Sequence, residues 1–330
     1  MTKVFRPYRI LLFLPLLISV AFSGCSGGKK NSYPALKGAS DYLTIDEALH
    51  ALKSPEAAAK YILFPDTSKE LPQPFRPPFT PVGPHKLFDN LYFVGTTAVG
   101  AFIIDSGDGL IMLDTGCSDT DAAMMAADIK KLGLDPSKIK LIFLSHEHFD
   151  HYGGLSYFKK NVCPDARVAM SLTAWNILQT VPPQWPYNGL RPQAVDIFLT
   201  DGMKIKLGKA FIQVIATPGH SPGCFSFIFP VTDNGKVHMA GLMGGSAIWP
   251  TITETIQYKS SVEYFKAYAL EAGCDVGLAF HSQDSDFASL NNRKPGDSNP
   301  LVIGTTGFDT IYLKKFRDRY EQMLTSGNLK

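Results

Sequence analysis

An α/β (α+β) fold is what this sequence predicts, in a pattern compatible with a four-layer αββα sandwich. Short strands rich in Ile, Leu, Val and Phe end at Gly or Asp, helical segments follow several of them, and the same succession returns in the second half. Each sheet then has an apolar face to cover, so the helices belong on the outside. The 330 residues and 45% hydrophobic content supply a sizeable core, and a formal charge of +2 creates no field of the kind that binds nucleic acid. No repeat of 20 to 50 residues and no run of heptads is present.

Residues 1–25 form a unit of their own. Lys3, Arg6 and Arg9 precede an apolar run, Ile10 to Phe22, that is too short to span a bilayer comfortably, which is the pattern of an export signal. "FSGC" then resembles the lipobox of bacterial lipoproteins with Phe22 at the usual Leu position; cleavage near Ser23 or Gly24 is the alternative. The expected location is the periplasm, with Cys25 as a lipid anchor and the only membrane contact. Residues 26–84 follow as a Gly/Ser/Lys tether, a helical "TIDEALHALKSPEAAAKYI" with Thr44 or Asp46 as caps, and "PDTSKELPQPFRPPFTPVGP". That last stretch carries too much proline for regular structure and is expected to wrap over the surface, so the catalytic domain is placed at residues 85–330.

Strands are expected at "NLYFVGTT", "AFIIDSG", "GLIMLDTG" and "IKLIFLS", with a helix at "TDAAMMAADIKKLG". The second half offers strands at "RVAMSL", "KAFIQVIATPG", "FSFIFPV" and "KVHMAG", with helices at "TAWNIL" and "SSVEYFKAYALEAG".

The chemistry concentrates in "LIFLSHEHFDHYGG". An apolar strand stops at Ser145, and three histidines and an aspartate follow within six positions. Alternate residues of extended chain share a side, so His146 and His148 can aim at one point, with Asp150 and His151 facing a second beside it. More ligands are needed, and two further strand-end histidines supply them: His220 in "VIATPGHSPGC" and His281 in "CDVGLAFHSQ". His50, His85 and His238 lack such a setting and read as structural residues.

"HEHFDHYGG", "TPGHSPG" and the strand-end His281 resemble the metallo-β-lactamase superfamily from about residue 85 onward. The flanking "NLYFVGTT…GLIMLDTG", Cys274 seven residues before His281, and "NPLVIGTTGFDTIYLKKF" are most similar to the third subclass of zinc-dependent β-lactamases. The resemblance implies two Zn2+ per chain, the first held by His146, His148 and His220 and the second by Asp150, His151 and His281. It implies hydrolysis of a small-molecule β-lactam amide bond by a metal-bound hydroxide that Asp150 orients, and hence β-lactam resistance. No partner protein is implied. The alternatives are a hydrolase of the same fold acting on another ester, lactone or thioester, and a zinc-binding lipoprotein without catalysis.

Two absences bear on this. The segment "VHMAGLMGGSAIWP" has no carboxylate where glyoxalase-type and lactonase-type relatives place a bridging aspartate, and no cysteine lies between Cys224 and Cys274 to serve as a ligand. Asp114 is either a support for the metal loop or a turn-former before Gly116. Cys117, Cys163, Cys224 and Cys274 allow three full pairings, among which spacing does not choose; Cys224 reads as a core residue rather than a ligand. Trp185, Tyr187, Ile248 and Trp249 fall in loops expected to border the site, and Ser246 falls near serines that bind substrate carboxylate in the resembling enzymes. There is neither an S-x-x-K set nor a G-x-S-x-G elbow, so no serine nucleophile is indicated.

Overall fold

The computed structural model describes residues 42–51, 80–182, 190–249, 251–284 and 296–326, together with Pro186, Phe287, Leu290, Arg293 and Lys294. The export signal, Cys25, the tether, and the continuation of the first helix past residue 51 lie outside these residues, as do Trp185, Tyr187 and the His50 side chain. The first helix, α1 (Ile45–Ala51), opens with a reciprocal cap. Thr44 Oγ1 accepts from the Glu47 amide at 3.2 Å, and the Glu47 carboxylate accepts from the Thr44 amide at 2.7 Å.

Seven strands form the larger sheet: β1 (Pro81–Lys86), β2 (Leu91–Thr96), β3 (Gly100–Asp105), β4 (Leu110–Leu113), β5 (Ile139–Phe143), β6 (Arg167–Ser171) and β7 (Ile197–Leu199), side by side in that order. Pairing is antiparallel from β1 to β4 and parallel from β4 to β7. The smaller sheet contains β8 (Lys204–Leu207), β9 (Ala210–Ala216), β10 (Phe225–Asp233), β11 (Lys236–Leu242) and β12 (Val276–Leu278), in the order β12-β11-β10-β9-β8. Every residue of β2 and β4 is buried, so both faces of the larger sheet are covered. The sheets meet through aromatic edges, with the rings of Phe143 and Phe227 at 5.9 Å and those of Phe102 and Phe280 at 5.8 Å.

The helices are α2 (Asp119–Lys131), α3 (Phe149–Tyr152), α4 (Leu155–Tyr157), α5 (Leu172–Thr180), α6 (Ile252–Glu271), α7 (Gly304–Gly307) and α8 (Leu313–Thr325). Ala122, Met125 and Ile129 of α2 join the main core, while α6 and α8 bury Val262, Phe265, Phe316 and Tyr320 in a second core with Ile215 and Ile228. The result is helix on sheet on sheet on helix.

Two expectations need correction, and one helix is added. The proline-rich segment does contain regular structure, because β1 begins at Pro81. As an edge strand it pairs on one side only, and its register slips between Pro81 and Pro84, so the missing N–H groups disturb little. The helix expected at "SSVEYFKAYALEAG" starts earlier, at Ile252, where Thr251 caps it by accepting from the Glu254 amide. The C-terminal helix α8 was not assigned from sequence; it is strongly polar, with Leu313, Phe316 and Tyr320 buried on one side.

The tight packing under the ligand loop explains its glycine pair. A Cβ on Gly153 would meet the Cys117 carbonyl at 2.0 Å and one on Gly154 the Thr115 carbonyl at 2.2 Å, so only glycine lets this turn close on the chain leaving β4. The same chain holds Asp121, whose Oδ2 accepts from the Cys117 amide at 2.9 Å while Oδ1 is buried without a partner. Burial raises this carboxyl to about 7, against the opposing effect of that hydrogen bond. The folded chain therefore binds a proton that the unfolded chain releases near pH 4, and stability falls as pH rises from about 4 to about 7. Asp121→Asn keeps an acceptor for Cys117 and removes the titration. Thermal melts of both chains in chelator at pH 5 to 8 should show the variant gaining several degrees over the parent as pH rises; a constant difference would refute the assignment.

Candidate metal centre

Four chain segments converge at the ends of the strands. The turn after β5 brings His146 and His148, α3 brings Asp150 and His151, the turn after β9 brings His220, and the turn after β12 brings His281. His146, His148 and His220 form one group and Asp150, His151 and His281 another, each with its ligand atoms within 4.8 Å of one another. All six residues expected from sequence are brought together, in the two expected sets.

What fixes the imidazoles lies behind them. His220 Nδ1 donates to the Ala247 carbonyl at 2.7 Å, and His281 Nδ1 to the Ala98 carbonyl at 2.8 Å. His151 Nδ1 is 2.6 Å from Asp114 Oδ2, and His146 Nδ1 is 2.9 Å from Ser145 Oγ, whose own proton goes to Asp114 Oδ2 at 2.7 Å. Each of these contacts places a proton on Nδ1 and turns Nε2 inward.

Asp114 is thus a support and not merely a turn-former. Its carboxylate takes the Ser145 amide at 2.7 Å, the Ser145 hydroxyl and the His151 ring, and its backbone at φ 61° lies in the left-handed region. That strain persists because three buried partners hold the carboxylate in place. Glu147, between two ligands and fully buried, accepts from Ser221 Oγ at 3.0 Å and the Gly223 amide at 3.2 Å, tying the first ligand turn to the one carrying His220. Nothing in the local pattern separates Glu147 from the other polar residues of "SHEHFDH".

The electrostatics favour cations. Burial lowers the proton affinity of His220 to about 4 and holds His146 and His148 well below the ordinary histidine range, assisted by the neighbouring imidazoles. Their inward nitrogens crowd together: His146 Nε2 is 3.0 Å from His220 Nε2 and 3.1 Å from His148 Nδ1. Nitrogens about 2.0 Å from a tetrahedral zinc stand about 3.3 Å apart, so this spacing fits such an ion. In the second group, burial opposes charge on both residues of the Asp150–His151 pair. The nearby positive charges, His151 first, nevertheless hold Asp150 low, and the Asp150 and Asp114 carboxylates raise His151. Among the described residues, His151 Nε2 is buried without a hydrogen-bond partner, 3.4 Å from Asp150 Oδ2. The donor set of imidazoles and one carboxylate suits a borderline divalent metal.

The bordering residues sort clearly. Trp249 Nε1 donates to the His220 carbonyl at 2.8 Å, and its ring lies 6.1 Å from that of His148. Ile248 packs on the second core. The Ser246 carbonyl accepts from Arg319 Nη1 at 2.8 Å, and Arg319 Nη2 bonds Asp284 Oδ1 at 2.6 Å. Arg319 of α8 therefore links the loop that holds His220 through Ala247 to the turn that follows His281, a long-range contact no local pattern announced. His238 pairs with Asp275 at 2.6 Å and His85 stacks near Phe287 at 5.6 Å, so both are structural. Cys117, Cys163, Cys224 and Cys274 are buried free thiols, and Cys224 belongs to neither ligand group.

Residues 94–233 match the family model described as "Metallo-beta-lactamase superfamily". Among solved structures, the chain is similar to the native FEZ-1 metallo-beta-lactamase of Legionella gormanii, with a TM-score of 0.64 and 24% identity over 76% of this chain and 98% of that one. It is also similar to MEM-A1, a subclass B3 metallo-beta-lactamase from a soil metagenome library, with a TM-score of 0.61 and 26% identity over 75% and 97%. Curated relatives include "Glyoxylase B2" of Dictyostelium discoideum, 31% identical over 33% of this chain and 37% of its own length. The N-acyl homoserine lactonase AttM of Azorhizobium caulinodans is 28% identical over 38% and 45%. The matched stretch thus spans roughly half or less of these curated relatives.

The Arg319 bridge has a measurable consequence. Arg319→Met should weaken binding of one or both metal ions about tenfold, with Arg319→Lys in between, in titrations against a chromophoric chelator. Unchanged affinity for both ions in the methionine variant would show that the bridge does not position the ligands.

Proposed function

We propose that this chain, a hydrolase of the metallo-β-lactamase superfamily, holds two zinc ions and opens β-lactam rings. The observation that carries the proposal is the pair of adjacent triads in which His151, and not a bridging acid or a cysteine, completes the second set. When bound, such a metal pair polarises a carbonyl and lowers the pKa of water from about 15.7 to about 7.

The chain's own residues do the rest. Asp150 can orient the attacking water through the carboxylate oxygen not used as a ligand and accept its proton there. Asp114, Ser145 and the Ala98 and Ala247 carbonyls keep the imidazoles in the tautomer that presents Nε2, so little reorganises when substrate arrives. Trp249 and Pro186 wall the cleft and restrict water beside the first triad.

A second reading has its own support. The glyoxylase and lactonase relatives suggest attack on a thioester or lactone by the same metal-binding groups.

Zinc analysis of the purified protein should return two ions per chain, and fewer than one under replete conditions would sink the two-metal reading. A chromogenic cephalosporin should be hydrolysed, and chelator should abolish the reaction. Cleavage of a lactone or thioester without cephalosporin hydrolysis would select the second reading; full zinc occupancy without turnover on any of them would mark a non-catalytic protein.

The location follows from residues 1–25. We propose a periplasmic lipoprotein anchored through Cys25, where a lipidated cysteine holds the enzyme at a membrane surface without a spanning helix. Cell fractionation of a Cys25→Ser variant should move the protein from membrane to soluble periplasm. Identical soluble release of parent and variant would remove the anchor, and retention of both in the cytoplasm would remove export.

A further inference from the structure

We propose that the cleft beside the first histidine triad is a subsite for a substrate substituent carrying an ammonium or similar N–H donor, and that Glu254 reads that charge. The inference rests on the hydrolase reading above and names the class of substrate it would prefer. A cavity of about 300 Å³ opens here with His148 and His220 in its wall. A molecule whose carbonyl reaches the first triad can therefore extend into it without a spacer.

The other walls define what fits. Trp249 and Pro222 give an apolar side, and the indole is fixed by its bond to the His220 carbonyl. An aromatic face of this kind accepts a flat or apolar group and also attracts a cation. Glu254 and Gln257, both on α6, supply the polar end, and among the described residues no lysine or arginine lines the cavity.

The helix end itself does not favour an anion here. The N-terminus of α6 carries a partial positive charge. Thr251 Oγ1, however, already accepts from the Glu254 amide, and the Glu254 carboxylate stands in the first turn. Oε2 of that carboxylate accepts from the Thr251 hydroxyl, leaving Oε1 without a partner among the described residues. What this end presents to the cleft is therefore an acid, half-buried beside a tryptophan.

The test compares penicillins that differ only in the acyl side chain: benzyl, aminobenzyl and carboxybenzyl. For the zinc-loaded enzyme, kcat/KM should fall in the order aminobenzyl, benzyl, carboxybenzyl, with steps of about fivefold, the size expected of a partly exposed charge pair. Glu254→Gln retains a residue suited to the capping box and should bring the three within about twofold. An unchanged order in the variant, or a preference for carboxybenzyl in the parent, would overturn the proposal. Should β-lactams prove inert, calorimetric titration with phenylethylamine and its neutral counterpart phenylethanol reads the subsite directly. The amine should bind about fivefold tighter to the parent and equally to the variant; equal binding to the parent would overturn the subsite independently of the reaction.

Discussion

Four imidazoles in this protein are gripped from behind so that their Nε2 atoms face the two ligand clusters. A buried carboxylate, a hydroxyl and two backbone carbonyls take the Nδ1 protons, and the inward nitrogens of His146 and His220 come to 3.0 Å. Burial disfavours protonation of both, and unprotonated nitrogens held that close repel one another. Only the rest of the fold can hold such an arrangement, and a bound cation relieves it. The two packed sheets, the glycine pair under α3 and the strained backbone of Asp114 can all be understood as answers to that demand.

Asp114 shows how the demand is met. It ends β4, takes up a left-handed backbone and directs one carboxylate at three groups from the neighbouring β5 turn and α3. Parallel pairing of β4 with β5 sets those chain ends side by side, so the carboxylate and the ligand turn are neighbours by topology. Support groups of this kind fix the orientation and basicity of the ligands they touch. The smaller sheet contributes in the same way through the turns after β9 and β12, which deliver one histidine to each triad.

The helices on the smaller sheet do more than cover it. Beyond burying the second core, α8 extends Arg319 to Ser246 and Asp284, and α6 begins where the cleft opens. Both therefore connect packing at the back of the sheet with geometry at the site.

All six ligand candidates were legible in the sequence, because the histidines and aspartate sit in turns directly after apolar strands, and period-two geometry and glycine-rich turns are local properties. Most strands of both sheets, the helix α2 and the structural standing of His85 and His238 were legible for the same reason. The role of Asp114 was legible only as one of two readings, and those of Glu147 and Arg319 were not. Their partners lie 31 to 76 residues away in the chain, and such contacts exist only once the sheets have ordered and brought distant segments together. The strand at Pro81 was hidden because proline's penalty depends on whether a strand has one neighbour or two. The polar helix α8 was hidden because its three buried side chains have meaning only against α6 and the smaller sheet. Local pattern determined which atoms could bind a metal; the tertiary structure decided what holds those atoms still, since the restraint comes from surfaces the chain makes only by folding.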